Sequence, residues 1–436
     1  MTMKQNLIYF ALLFALVSLG SCSVSEVESQ TQPEEQPYAQ NELLVKFTPE
    51  VVSLLEKAQA TRSGAVTRSG EYSVDQVLEI IGTAQIERIF PVDNAREDVT
   101  RNNGLHRWYR VAFEGEYSVE EVAKRFAALG EVQSVDFNRK VKRAYNHKAI
   151  PLSKSDLERA ESQRTRAAMS DPLLSKQWYL INDGTMFTEG EIIKSVKDAD
   201  VQCEAAWKLS TGNESVVVAV LDEGIFIEHP DLQGAIWNNE DEIYRSDKDN
   251  DNNGYVGDAH GYNFAKKSGV ITWDNIYDSG HGSHVAGVIA ADNNNGIGMS
   301  SIAGGNGSRA GVKIMVCQIF SGNVGTDAIG VARAIKYAAD NGAVVLQCSW
   351  GYVSGAANSF DWGAPGFATQ EEWEAGTPLE KDALDYFTHN AGSPNGPIDG
   401  GIAVFAAGNE NAAMAGYPGA CDEYISVAAT AADFTP

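Results

Sequence analysis

Two stretches of the chain carry apolar periodicities that specify secondary structure, and polar segments set them apart. In the first, Glu42–Phe47 reads as a strand, Val51–Ala58 and Val74–Ile81 as short helices, and Ile86–Phe90 and Trp108–Phe113 as strands. Ser118 and Glu121 form a capping box ahead of Val122, Ala123, Phe126, Ala127 and Leu129, which predicts a helix, and Val132–Phe137 predicts a closing strand. Strand, helix, two strands, helix, strand is a split βαβ order, a small ferredoxin-like α+β domain. In the second stretch, Val216–Leu221 is an uninterrupted apolar run, the pattern of a strand buried on both faces, and it ends at Asp222-Glu223-Gly224. A helix beginning at His281, a strand at 312–320, a helix at 327–339, a strand at 343–348, a helix at 378–390 and strands at 402–406 and 424–429 follow. That alternation predicts an α/β fold, a parallel doubly wound sheet in three layers.

The flanking segments carry other signals. Leu7–Leu19 is an apolar run behind Lys4, too short for a membrane span and suited to a signal-peptide core. It closes on Leu19-Gly20-Ser21-Cys22, which resembles a bacterial lipobox, so residues 1–21 are expected to be removed and Cys22 lipidated. An ordinary signal with an incidental cysteine is the other reading. Residues 22–37 form a polar tether. Residues 146–170 form a linker that continues a basic stretch, with Arg139-Lys140, Lys142-Arg143, Lys154, Arg159, Arg164 and Arg166 punctuating little apolar content. A formal charge of −25 at pH 7 argues against a nucleic-acid partner. Cys203, Cys317, Cys348 and Cys421 are widely scattered, without the paired spacing of a zinc site. Export permits a disulfide among them; Cys317 and Cys348, which lie in apolar strand-like runs, are expected to be small buried thiols.

The helix at His281 starts with small residues, Gly280, Gly282 and Ser283, that let another backbone approach, and its histidine suits general-base work. Asp222 lies at the carboxyl end of a buried parallel strand, the edge of such sheets where ligands and chemistry collect. The two are therefore candidates to meet, although they are far apart in sequence.

The motifs Ala219-Val220-Leu221-Asp222-Glu223-Gly224, His229-Pro230-Asp231-Leu232, His281-Gly282-Ser283-His284-Val285-Ala286-Gly287 and Ala406-Ala407-Gly408-Asn409 occur in this order. In that order they resemble the subtilases, the subtilisin-like serine peptidases. The resemblance implies a subtilisin-like catalytic domain over residues 171–436 and makes residues 38–145 an inhibitory propeptide, with a maturation site in the 146–170 linker unless that linker is never processed. It also implies that Asp222 orients His281, that His281 is the base, and that Asn409 donates to the oxyanion. Ser349-Trp350-Gly351 would line the substrate cleft, with Trp350 open to a second reading as a core aromatic. Glu223 departs from the family, which usually has threonine or serine after the aspartate, and it adds a second carboxylate beside the first.

Calcium is the expected cofactor. Counting from Asp249, side-chain oxygens of Asp249, Asp251 and Asn253 fall at the first, third and fifth positions with Gly254 sixth, as a calcium loop requires. The twelfth position is His260, so a partial site, with Asp258 an extra ligand, is expected rather than a full EF-hand; a polar turn is the alternative. Asp231 is a separate candidate by resemblance, completed by the loop 292–298.

The family's serine follows the oxyanion asparagine in a Gly-Thr-Ser-Met-Ala-like motif. No such motif occurs in these residues, and Ser426 is the only serine after Asn409. The catalytic domain is therefore expected to be C-terminally incomplete and inactive as it stands. The overall expectation is an exported, lipid-anchored serine endopeptidase at the outer membrane or surface of a bacterium, acting on polypeptides. The alternative is a non-catalytic surface lipoprotein that uses the same cleft for binding.

Overall fold

In the computed structural model the described residues are 37–61, 65–143, 169–188, 191–392 and 398–435. The signal run, Cys22, nearly all of the tether and most of the basic linker lie outside them. The first elements are β1 (Glu42–Phe47), α1 (Pro49–Thr61), α2 (Tyr72–Ile80), β2 (Thr83–Arg88), α3 (Glu97–Asn102), β3 (Trp108–Phe113), α4 (Val119–Ala127) and β4 (Val132–Asp136). The strands pair antiparallel in the order β2-β3-β1-β4. Ser118 caps α4 as predicted, its hydroxyl accepting from the Glu121 amide while the Glu121 carboxylate accepts from the Ser118 amide. The sequence reading placed β2 too late, at 86–90. Ile89 and Phe90 are apolar and fully buried, but they have left the strand and join the core of the following module.

That module begins with a hairpin, β5 (Thr185–Thr188) and β6 (Glu191–Lys194), and a short α5 (Cys203–Trp207). Next come β7 (Val217–Glu223), β8 (Gly261–Asn263), α6 (His281–Ala290), β9 (Lys313–Ser321), β10 (Val324–Gly325), α7 (Ala328–Asp340) and β11 (Val345–Cys348). The last elements are α8 (Ser359–Trp362), α9 (Gln370–Gly376), α10 (Pro378–Asn390), β12 (Ile402–Ala406) and β13 (Ile425–Val427). The sheet runs β10-β9-β7-β11-β12-β13, parallel from β9 through β13, with β8 also pairing with β9.

β7 is buried throughout because both its faces are covered. Val218 and Val220 pack with Ala286 and Ala290 of α6, while Val217, Ala219 and Leu221 face the core that holds α7 and α10. The period-two division of one apolar run between two cores makes the three layers. Cys203, Cys317, Cys348 and Cys421 are buried and unpaired, as expected of packing thiols, and burial pushes the Cys203 thiol up to about 11.

The N-terminal sheet packs against α7 and α10. Lys46 Nζ reaches Asp382 at 2.6 Å and Trp108 Nε1 donates to the same carboxylate at 2.7 Å. Asn138 donates to Asp327, and the Leu379 amide at the start of α10 donates to Asp136. Asp136 is buried, and that burial, partly countered by Arg139, pushes its carboxyl up to about 6.

Candidate active site

Three strands deliver the predicted motifs to one sheet edge. β7, β11 and β12 are adjacent and parallel, so Asp222, Ser349-Trp350-Gly351 and Ala407-Gly408-Asn409 all emerge at carboxyl ends. With strands about 4.8 Å apart, the β12 end lies roughly 10 Å from the β7 end.

Asp222 and His281 meet. His281 Nδ1 lies 2.9 Å from both Asp222 oxygens, and the Asp222 side chain is 1% exposed against 30% for His281. A carboxylate only accepts, so Nδ1 carries the proton and the ring is held in one tautomer, with Nε2 turned away from the aspartate. The close approach of β7 and α6 depends on Gly282, where a Cβ would stand 2.5 Å from the Glu223 carbonyl oxygen. Ser283 Oγ also accepts from the Phe226 amide at 2.9 Å, tying the helix to the chain after β7.

Glu223 enters the same corner. A register shift between Asp222 and Glu223 lets both neighbours reach α6, where regular alternation would send them to opposite faces. Glu223 Oε2 accepts from the Ser279 amide at 3.0 Å, Ser279 Oγ at 2.8 Å and the His281 amide at 3.2 Å. The carboxylate therefore caps a helix whose own N-cap position, Gly280, offers no side chain. Sequence reading noted Glu223 only as an added charge; the bulge that turns it toward α6 has no local sequence signature.

Asn409 follows Gly408, whose φ of +113° makes the turn, and it is exposed on the same edge. Ser349 Oγ accepts from Gln347 at 2.7 Å, and the Tyr352 amide bonds the Tyr417 carbonyl just beyond Gly351. Of the two readings of Trp350, cleft and core, the structure takes the core: Trp350 is 6% exposed and packs edge-on against Phe405, 5.6 Å between ring centroids.

The calcium candidates divide. Glu242, Asp249 and Asp251 bring carboxylate oxygens within 4.8 Å of one another. Asp258, expected as an extra ligand, is not among them. Asn253 uses its amide to bridge Asp251 and Asp258 at 3.0 and 3.1 Å, and Asp258 is held from the other side by the Tyr337 hydroxyl at 2.7 Å. Glu242 was missed because it precedes the loop and reaches it only through folding. Asp231 does meet the predicted loop, but as a hydrogen-bond acceptor from Asn295 Nδ2 at 2.8 Å and the Met299 amide at 2.9 Å, outside any carboxylate cluster among the described residues. Asp171, also missed, holds the other side of that loop through Asn294, Gly296 and Ser300.

The model of the subtilase family matches residues 213–435, which is half of the chain. Subtilisin-like protease 1 of Plasmodium berghei is 40% identical over 106 residues, 24% of this chain and 16% of that protein. The cell wall-associated protease of Bacillus subtilis is 30% identical over 224 residues, 51% of this chain and 21% of that protein. The chain thus spans a quarter or less of the length of either relative. Among solved structures, fervidolysin from Fervidobacterium pennivorans, a keratinolytic enzyme related to subtilisin, aligns with a TM-score of 0.50 at 19% identity, covering 90% of this chain and 43% of that one. At that identity the likeness shows the fold. With the family's motifs gathered at one sheet edge, a family model matched over half its length and a subtilisin-like architecture, the chain belongs to the subtilase family of serine peptidases.

Proposed function

We propose that this chain forms the propeptide and most of the catalytic module of an exported, lipid-anchored serine endopeptidase. The two-oxygen contact of Asp222 with His281 Nδ1 carries the reading, since it orients a histidine for proton transfer. In the proposed reaction His281 takes the proton of the attacking hydroxyl and returns it to the leaving amine. Asp222 steadies the imidazolium, and the Asn409 amide donates to the tetrahedral oxyanion. The attacking serine is assigned to polypeptide outside these 436 residues. Ser426 lies within β13, paired with Phe405, and is no candidate. Without the serine the present residues are proposed to be inactive.

Residues 38–145 are proposed to act as the chain's own inhibitor. Anchoring is proposed through Cys22, because Leu19-Gly20-Ser21-Cys22 behind the apolar run resembles a lipobox. Calcium fits Glu242, Asp249 and Asp251, three hard-oxygen donors whose mutual repulsion a divalent cation would relieve. Its role there would be structural.

The test is labelling of the native protein with a fluorophosphonate serine-hydrolase probe. Label on a serine, lost in His281→Ala, is expected. A native protein that never takes the probe would sink the peptidase reading and favour a binding role. Incorporation of an alkyne fatty acid, lost in Cys22→Ser, tests the anchor.

A further inference from the structure

We propose, building on the peptidase reading, that Glu223 is the floor of a subsite that takes an arginine side chain of a bound polypeptide, and that Arg143 occupies this subsite in the present chain. Arg143 Nη1 bonds Glu223 Oε1, and the Glu223 side chain is 1% and the Arg143 side chain 11% exposed. The division of labour on the carboxylate is clear. Oε2 takes the donors at the start of α6, whereas Oε1 accepts the guanidinium.

The rest of the guanidinium is also read. Nη2 donates to the Tyr277 carbonyl oxygen at 3.1 Å and to Asn323 Oδ1 at 3.4 Å. A carboxylate, a carbonyl and an amide oxygen around one planar fork match arginine better than the point charge of lysine. Asp278, whose carboxyl is pushed up by burial and by the Glu223 charge and drawn back by Arg143, adds negative potential to the same corner.

Arg143 arrives as a bound peptide would. The Ala328 amide bonds the Arg139 carbonyl at 2.9 Å, the Val141 amide bonds the Thr326 carbonyl at 3.0 Å, and Lys140 bridges antiparallel to Asp327. This is strand addition to the β10–α7 connection. Gly325 permits it, since a Cβ there would stand 1.9 Å from the Val141 carbonyl oxygen. When this segment leaves, the Glu223 carboxylate loses its guanidinium partner while the donors at the start of α6 still hold it in place. A substrate that brings a guanidinium to the same place restores the pairing, and one that covers the carboxylate with a neutral side chain desolvates its charge without a partner.

The experiment uses the full-length protease and fluorogenic peptides that differ only by arginine, lysine or the neutral isostere citrulline, scanned through the positions before the cleaved bond. At one position arginine is expected to exceed citrulline by about 10- to 100-fold in kcat/KM, with lysine between them. Glu223→Gln keeps an acceptor for α6 and removes the charge, so in that variant the arginine-to-citrulline ratio should fall to near one. Cleavage with no arginine preference, or a preference that survives Glu223→Gln, overturns the subsite and leaves the peptidase reading intact. If no peptide is cleaved, the peptidase reading fails, and the subsite is decided by thermal midpoints of the 436-residue chain carrying Arg143→Ala, Glu223→Gln or both. The double variant should lie well above the sum of the single losses; strictly additive losses overturn the pairing.

Discussion

The buried carboxyl at the junction of the N-terminal sheet and α10 makes stability depend on pH in a direction opposite to that of ordinary surface acids. Asp136 has its carboxyl pushed up to about 6 from 3.8, by burial first, with Arg139 and the Leu379 amide acting against it. The folded state therefore holds a proton that the unfolded chain has already lost, and stability falls as pH rises through the window from about 4 to about 6. Two units correspond to about 3 kcal/mol at most. Glu380, pushed up to about 7 by burial and then held by Tyr352 and Trp373, carries the loss further toward neutrality. The perturbation is Asp136→Asn, which cannot ionise. The assay is the urea midpoint of the wild-type and variant chains at pH 4.5, 6 and 8. The wild type should lose about 2 kcal/mol more than the variant across that range, since at pH 4.5 the unfolded carboxyl is already mostly ionised. Equal pH slopes in the two proteins would show that Asp136 is already ionised in the folded chain and refute the argument.

Three further outcomes are expected. On the proposed peptidase reading, His281→Ala in the native protein should lower kcat by at least about 10⁴-fold and Asn409→Ala by about 10²–10³-fold, both read in a peptide-hydrolysis assay with KM little changed. Gly282→Ala places a methyl 2.5 Å from the Glu223 carbonyl oxygen, and the resulting shift of α6 should cost about 1–3 kcal/mol in a urea titration. Removing calcium with a chelator should lower the thermal midpoint of the wild-type chain but not of Asp251→Asn, by the equivalent of about 2.7 kcal/mol if the ion is normally at a hundred times its dissociation constant.

What the sequence made legible were the features that local chemistry encodes. The apolar run of β7, the capping box of α4 and the glycine-rich start of α6 each carry their own signal, and all three stand where the pattern put them. The pairing of Asp222 with His281 was legible too, because strand ends in a parallel sheet collect at one edge. What stayed hidden depended on contacts between distant segments. Glu242 joins the loop of Asp249 and Asp251 only after folding, and Glu223 is aimed by a bulge. Trp350 could be read either way until Phe405 was seen to face it. Between the strand at 343–348 and the helix at 378–390 the sequence pattern predicts no element, yet α9 stands there, capped by Thr369 through the Glu372 amide at 3.2 Å and with Trp373 fully buried.

β1 shows how far the two modules have been shaped for each other. All six residues are buried, which a strand in a free-standing two-layer domain would not show. Leu43, Val45 and Phe47 fill the N-terminal core, while Leu44 joins the catalytic core and Lys46 points at Asp382. The second face of β1 is thus written for α10. Lys46→Met tests this, because it keeps most of the buried stem and removes only the charge. Asp382 then keeps Trp108 Nε1 as a donor but loses its cation. Breaking a buried pair costs about 3–5 kcal/mol, and the 26% exposure of Asp382 lowers the expectation to about 1–3 kcal/mol in a urea titration. Combining Lys46→Met with Asp382→Asn removes the stranded charge and keeps an acceptor for Trp108 Nε1, so the double variant should be more stable than Lys46→Met alone. A Lys46→Met loss below about 0.5 kcal/mol would instead put this ion pair in the class of surface pairs, and the burial of β1 would then rest on its apolar contacts.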